Sequence, residues 1–250
     1  MAKVSEKPHE IISRLKQDIL RLQGVVPPEE TATEIGLGPV EEAFPHGAFP
    51  SSGVHEFVSG SLEESASTSG FIGGLLSGLM AGGGVCFWIS TSALLFPPAL
   101  EAFGVKPDRV VFVEVARERD VLWATEEALK CGGLAAVVAE LREMDFARSR
   151  RLQLAVEKSR VTGLVLRSSP RAAGATACVA RWHITPLPSR PADGLPGVGF
   201  PRWKVQLLKV RNGNPGCWQL EWAGGRFVPI TQTRAEHAAA PTSRGIQKIS

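Results

Sequence analysis

The sequence contains no run of 18 consecutive apolar residues, and its first residues, Met-Ala-Lys-Val-Ser-Glu-Lys, lack an apolar signal core. Its four cysteines form no C-x-x-C pair and have no nearby histidine at metal-ligand spacing, which argues against a disulfide framework or a metal centre. His55 and His183 have no carboxylate or nucleophile at useful spacing, so we infer no acid–base catalysis. We therefore expect a cytoplasmic protein without a membrane segment, a metal or a cofactor.

The composition is that of a globular protein, with 44% hydrophobic and 21% charged residues in a chain of 250. The net charge of +3 conceals a split between two parts of the chain. Residues 1–147 carry 11 Lys and Arg against 21 Asp and Glu, whereas residues 148–250 carry 17 against 4. The split indicates a basic surface for nucleic acid or an acidic partner, or head-to-tail contact between unlike surfaces. Alternatively, both parts fold together and neutralise each other.

The N-terminal segment predicts an amphipathic helix within residues 1–24, followed by a linker over residues 25–50 that is rich in Pro, Gly and acidic residues. Five aliphatic side chains share one face of this helix: Ile11, Ile12, Leu15, Ile19 and Leu22. An apolar stripe on a helix needs a surface to cover it. That surface is either the protein's own core or another protein chain.

Strand and helix patterns alternate through residues 51–228, which predicts an α/β core with a mainly parallel sheet flanked by helices. Arg-Asn-Gly-Asn-Pro-Gly between two apolar runs predicts a C-terminal antiparallel hairpin. Residues 186–201 contain five prolines and are expected to form a long loop. Residues 229–250 have no apolar pattern and are expected to form a disordered basic tail.

The most informative segment follows the first apolar strand and precedes an apolar helix, which is the context of a phosphate-binding P-loop. Laid over G-x-x-x-x-G-K-[ST], the segment places four residues at the motif positions: Gly60, Ser65, Ala66 and Ser67. Ala66 stands where the lysine must be, and Glu63 and Glu64 add negative charge that would repel phosphate. We therefore predict a degenerate P-loop that holds no nucleotide. On these residues alone, an ordinary small-residue connection is the simpler interpretation.

Parallel strands closed by an antiparallel hairpin, with the degenerate loop after the first strand, resemble the RecA recombinase core over most of residues 35–228. Residues 36–56 resemble the RecA segment of short helix and turn that leads into the P-loop strand. By this resemblance, Glu140 lies where the metal-associated aspartate usually sits, although a satisfied strand-end carboxylate is the alternative. The RecA catalytic glutamate falls near Ser92 and is missing, which implies that the chain is not an enzyme.

The resemblance also suggests contact residues. Lys209 and Arg211 lie where RecA places two basic residues against a neighbour's nucleotide, although a solvated strand face explains them equally. Arg167 and Arg171 flank a loop that contacts single-stranded DNA in RecA-type proteins. Because this loop has no aromatic residue for base stacking, we expect weak DNA binding at most. The RecA N-terminal helix docks on a neighbouring protomer, so residues 9–22 are expected to bind RecA or another copy of this chain.

A more specific resemblance is to the ImuA family of RecA-like proteins. It rests on residues 122–141, on Pro-Gly-Cys-Trp-Gln-Leu-Glu-Trp at 215–222, and on shorter strings at 149–155, 180–182 and 201–203. It implies a damage-inducible adaptor of the SOS response in mutagenic translesion DNA synthesis. The implied partners are RecA, the inactive polymerase homologue ImuB and, indirectly, an error-prone DnaE-type polymerase. Two alternatives stay open: a cell-division inhibitor like SulA, which shares the superfamily, and a weak ATPase with a rearranged site that uses Lys209 or Arg211.

Overall fold

The computed structural model describes residues 35–92, 95–168, 174–191 and 197–230. Nine strands form one sheet: β1 (Val54–Ser59), β2 (Val85–Ser90), β3 (Val110–Glu114), β4 (Leu134–Leu141), β5 (Thr162–Ser168), β6 (Ala180–Arg190), β7 (Phe200–Val210), β8 (Gly216–Ala223) and β9 (Arg226–Pro229). Their order across the sheet is β3-β2-β4-β5-β1-β6-β7-β8-β9. The pairs from β3 to β6 are parallel and those from β6 to β9 are antiparallel. The predicted α/β fold with a mainly parallel sheet and a closing hairpin is confirmed.

Within the described part of the chain, three α-helices cover the sheet: α1 (Leu62–Leu79), α2 (Glu118–Leu129) and α3 (Phe146–Ser159). Short 3₁₀ helices span Gly38–Ala43, Pro45–Gly47, Pro97–Phe103 and Pro107–Arg109. Within the described residues, no helix combines the length and the apolar character needed to cross a membrane.

Two buried clusters lie on opposite faces of the sheet. On one face, α1 packs its apolar side on the sheet together with an aromatic group that includes Phe57, Trp182 and Trp203. On the other face, α2 and α3 cover β1, β4 and β5. Helix α1 lies very close to β9, because a Cβ at Gly74 would be 2.5 Å from Cζ of Phe227. Glycine at this position lets the helix and the last strand pack in direct contact.

The structure corrects the predicted linker. Residues 35–50, which the sequence analysis assigned to the linker, pack against the core, since Leu37 and Val40 are fully buried and Phe44 and Phe49 nearly so. Gly38–Ala43 and Pro45–Gly47 form the short helical turns that precede β1. The reason is hydrophobic burial, because these four apolar side chains cover the sheet beside α1. The prolines and glycines between them made the segment resemble a linker in the sequence.

Two further expectations were wrong in detail. The long loop predicted at 186–201 belongs in part to strands, because β6 continues to Arg190 and β7 begins at Phe200. A ninth strand, β9, pairs with β8 after a turn at Gly224 and Gly225, both of which have positive φ. The sequence analysis missed this strand because only four residues form it.

Candidate functional site at the carboxyl edge of the sheet

The carboxyl ends of β1, β2, β4 and β5 open onto a cleft of about 1860 Å³. Its walls are the first turns of α1 and the segments that follow β2 and β4. The end of β6, which extends beyond its pairing with β1, and the start of β7, which pairs with this part of β6, form the remaining side. In open α/β sheets, ligands bind at this carboxyl edge. The cleft is therefore the place to look for the predicted phosphate loop.

The structure contains a helix where the phosphate loop was expected. Helix α1 begins at Leu62, only two residues after β1 ends, and Ser61 caps it by accepting a hydrogen bond from the Glu64 amide at 3.2 Å. Ser65, Ala66 and Ser67 are all helical, and the amide of Ser65 already donates to the Ser61 carbonyl at 3.0 Å. A phosphate nest needs backbone amides that point outward from a loop. Here most of the expected loop is replaced by the first turns of α1.

The carboxylate of Glu64 binds the backbone amide of the first glycine in the P-loop pattern, Gly60. Its Oε2 accepts a hydrogen bond from the Gly60 amide at 2.6 Å and lies 3.1 Å from Nε2 of His183. The Gly60 hydrogen bond, helped by His183, lowers the pKa of Glu64. The sequence analysis found no carboxylate partner for His183. The fold corrects this, because β6 lies beside β1 and brings His183 next to the start of α1.

Glu140 is a satisfied strand carboxylate. The indole N–H of Trp88 on β2 donates to Oε1 of Glu140 at 2.7 Å. Burial raises the pKa of Glu140, and this hydrogen bond partly offsets that effect. Ser92 follows the end of β2, and its carbonyl accepts a hydrogen bond from the Ser90 hydroxyl at 2.8 Å. Among the residues that the structure describes, no group of three or more His, Cys, Asp or Glu is arranged to hold a metal ion.

A buried ionic cluster lies on the face of β1 that is opposite to α1. Glu56 is fully buried, and its two oxygens accept hydrogen bonds from Arg167 at 2.6 Å and from Arg181 at 2.7 Å. Thr176 also donates to Glu56, at 2.9 Å, and Arg181 donates to the Gly174 carbonyl at 2.5 Å. The cluster therefore ties the end of β5 and the start of β6 to β1.

The cluster corrects the role expected for Arg167. Its side chain is buried and paired with Glu56, so it does not offer a surface contact for DNA. Lys209 and Arg211 donate hydrogen bonds to the backbone carbonyls of Thr176 at 2.8 Å and Ala177 at 2.7 Å. In this structure, both side chains therefore bind the backbone of their own chain. Arg171 lies outside the described residues.

The predicted partner-binding helix also lies outside the described residues, with its five aliphatic residues: Ile11, Ile12, Leu15, Ile19 and Leu22. The same holds for residues 231–250 of the predicted tail. The helix and the tail therefore stay predictions.

The sequence analysis missed the central role of Glu56, although a signal was present. A carboxylate in the middle of the apolar strand Val54–Ser59 must find positive partners when it is buried. It also missed the apolar rim of the cleft. Leu62 and Phe96 line the cleft and are 80% and 69% exposed, and sequence pattern could not distinguish them from core residues.

No family model matches the chain. Two curated sequences do, each called protein ImuA, from Caulobacter vibrioides strains NA1000 / CB15N and ATCC 19089 / CIP 103742 / CB 15. Each is 37% identical over 222 residues, which cover 82% of this chain and 91% of the relative.

Among solved structures, the RadB recombinase matches with a TM-score of 0.56 and 13% identity, and covers 80% of this chain and 100% of RadB. This similarity confirms the RecA-like fold that the sequence predicted. SulA from Pseudomonas aeruginosa covers 45% of this chain with a TM-score of 0.39, which is too low to carry an argument. The identity with the two ImuA sequences extends over most of this chain and most of each relative. The chain therefore belongs to the ImuA family.

Proposed function

We propose that this protein is a non-catalytic RecA-like adaptor in damage-induced, error-prone translesion DNA synthesis. It binds ImuB and RecA, and through them serves a DnaE-type polymerase. Membership of the ImuA family and the RecA-like fold support this role. The single observation that carries the non-catalytic part is the start of α1 at Leu62, which replaces most of the phosphate loop with a helix.

Three features of this region disfavour a nucleotide. The Gly60 amide is already bound by Glu64, and Ala66 supplies no positive charge to the terminal phosphates. A phosphate placed about 4 Å from the Glu64 carboxylate would be repelled by roughly 4 kcal/mol at an effective dielectric constant of about 20. Because these features leave no site for a nucleotide in the proposal, the protein acts through contacts with other macromolecules.

An equilibrium titration with labelled ATP and magnesium tests the non-catalytic part of the proposal. We expect no binding at micromolar nucleotide and no hydrolysis above that of buffer. The RecA protein serves as the positive control under the same conditions. Micromolar binding that is lost when Lys209 or Arg211 is replaced by alanine would instead support a weak ATPase with a rearranged site.

We further propose that residues 9–22 form the contact with RecA, through Ile11, Ile12, Leu15, Ile19 and Leu22. Burying an aliphatic side chain is worth roughly 1.5–3 kcal/mol before entropic costs, so five of them supply a sizeable part of a binding energy. Deletion of residues 1–24 is expected to weaken RecA binding at least tenfold. Deletion of residues 231–250 is the control, and unchanged affinity after the N-terminal deletion would remove this helix from the model.

Self-association through the same helix is the competing use of this apolar stripe. Sedimentation of the full chain at several concentrations, with and without residues 1–24, distinguishes the two. A mass that stays monomeric while RecA binding depends on residues 1–24 supports the adaptor. A concentration-dependent dimer that disappears with the deletion supports self-association.

A further inference from the structure

The cleft at the carboxyl edge of the sheet is too large and open for a small ligand. Its volume of about 1860 Å³ exceeds the roughly 300–1,000 Å³ of typical small-molecule sites. The features that would hold a phosphate are absent from its α1 wall, as the Gly60 and Glu64 contact shows. An occupant of this cleft therefore has to be recognised by side chains over a wide area.

The rim of the cleft carries apolar side chains that nothing in the described residues covers. Leu62 opens α1, and Phe96 lies on the opposite wall before the 3₁₀ helix Pro97–Phe103. Leu95 and Leu122, both partly buried, also line the cleft. Exposed large apolar side chains that border a depression with a polar rim mark a protein-binding site.

The charged residues of the cleft favour an acidic occupant. Five arginines line it, Arg119, Arg142, Arg148, Arg151 and Arg202, against three glutamates, Glu118, Glu140 and Glu143. Two of these glutamates already accept hydrogen bonds from other residues of the protein. Glu140 accepts from Trp88, and Glu118 accepts from the amides of residues 142 and 143, at 2.7 and 3.1 Å.

Two of the five arginines already pair closely with carboxylates of this chain, Arg151 with Glu126 and Arg202 with Glu221, whereas Arg119, Arg142 and Arg148 are more available. Arg119 and Arg148 contact Asp120 and Asp145 at 3.4 and 3.6 Å, with about half or more of each arginine side chain exposed. Such exposed ion pairs contribute little, so an incoming carboxylate can compete for the guanidinium groups. A bidentate arginine–carboxylate contact is among the stronger polar contacts available to a protein partner.

These features select a protein segment over the other candidates. Among the described aromatic residues that line the cleft, Phe103 and Trp203 are buried and Phe96 is exposed, so the rim offers a single side chain for base stacking, which disfavours single-stranded nucleic acid. The chain's own termini carry the wrong charge. Residues 9–22 have three basic and two acidic residues, and residues 231–250 have three basic and one acidic.

We propose that this cleft binds an acidic segment of a partner protein, with large apolar residues that contact Leu62 and Phe96 and carboxylates that bind the arginines. The inference rests on the proposed function in one respect, namely that no nucleotide occupies the cleft. The partner's carboxylates take over the role that phosphates have in a nucleotide-binding member of this fold.

Selection of binders to the full chain from a random library of 16-residue peptides tests the proposal. The selected peptides are expected to combine Asp and Glu with Leu, Phe or Trp, and to bind less tightly as salt is raised. Phe96→Ser and Arg142→Glu should each weaken a selected peptide at least tenfold. Trp123→Ser and Arg150→Glu are the matched controls and should change its affinity less than twofold, since both residues are exposed and lie outside the cleft.

Other results overturn the inference. No enrichment of acidic apolar peptides, or equal losses in the cleft variants and the controls, would remove the cleft as their site. Displacement of the peptide by an oligo-dT strand at equimolar concentration would assign the cleft to nucleic acid. Displacement by ATP and magnesium would overturn the proposed function as well, whereas failed peptide binding with no ATP binding leaves the adaptor role standing.

Discussion

At the scale of single residues, the structure depends most on polar side chains that the fold has buried. Glu56 has no exposed surface, and it neutralises one of the two arginines that it binds. The Nε atom of Arg167 is buried without a hydrogen-bond partner, so this guanidinium depends on its contact with Glu56. Such a cluster is sensitive to the loss of the Glu56 carboxylate.

Replacement of Glu56 with glutamine is expected to lower the free energy of unfolding by about 3–5 kcal/mol, because it removes the buried carboxylate that Arg167 and Arg181 both bind. Urea unfolding followed by tryptophan fluorescence measures the change. Glu157→Gln is the control, since Glu157 pairs with the exposed Arg150, and its loss should cost less than about 1 kcal/mol. Equal effects of the two variants would contradict the assignment.

His55 is the second buried polar residue with a measurable consequence. Its Nδ1 accepts from the Trp182 indole at 3.3 Å, and its Nε2 lies 2.9 Å from the Pro50 carbonyl, so the neutral ring satisfies both contacts. Burial lowers its pKa from 6.5 to about 4. Between pH 6.5 and about pH 4, His55 is therefore mostly protonated in the unfolded state and mostly neutral in the folded state.

Stability should thus fall as the pH drops from 6.5 to 4, by up to about 3 kcal/mol from this group. The comparison of wild type with His55→Gln isolates this contribution from that of carboxylates. The variant is less stable at pH 7, and the difference between the two proteins should narrow toward pH 4. A difference that stays constant across this range would show that His55 titrates normally.

At the scale of elements, the beginning of α1 decides what the cleft can bind. Ser61 caps the helix, and Glu64 three residues later reaches back to the Gly60 amide, an arrangement close to a capping box. The helix therefore starts almost as soon as β1 ends, which leaves no room for the turn that a phosphate needs. Ala66 at the position of the P-loop lysine is one difference from the motif, and the helical backbone from Leu62 onward is the larger difference.

Restoring the lysine alone is accordingly expected to fail. Ala66 is exposed on α1, so Ala66→Lys should fold normally, yet it should bind ATP no better than wild type because the helical amides stay occupied. Titration with labelled ATP and magnesium measures this, with Ala66→Gln as the uncharged control. Micromolar ATP binding by the lysine variant alone would show that only the charge was missing.

At the scale of the whole molecule, the strand order turns the charge split of the sequence into a spatial one. Residues 85–92 and 95–147 carry 6 basic and 10 acidic residues and contain β2, β3 and β4 at one end of the sheet. Residues 174–191 and 197–230 carry 7 basic and 1 acidic and form β6 to β9 at the other. Neutralisation is local, as between Arg151 on α3 and Glu126 on α2.

The same strand order predicts where the molecule opens first. Strands β5 and β1 lie in the interior of the sheet with nearly all of their residues buried, whereas β3 forms one edge and exposes Val111 and Phe112. Native-state hydrogen exchange should show the slowest amides in β1 and β5, and much faster exchange in β3. Comparable protection of β3 in the dilute protein would mean that another chain covers this edge.

How much of the fold and of the site could be predicted from the sequence depends on how far apart in the sequence the interacting residues are. The alternation of strands and helices through residues 51–228 and the hairpin turn around Asn212 were predicted because their patterns are local. The packing of residues 35–50 and the short strand β9 were not, since each depends on a surface formed by distant residues. The same limit hid the pairing of His183 with Glu64.

By itself, the sequence determined the alternation of strands and helices, the loss of the lysine at Ala66 and the charge difference between the two parts of the chain. Only the tertiary structure decided that Arg167 is buried on Glu56, that α1 begins at Leu62, and that Leu62 and Phe96 border one cleft. The physical reason is that periodicity and composition act between neighbours along the chain. Burial and ion pairing act between residues that meet only when the sheet has formed.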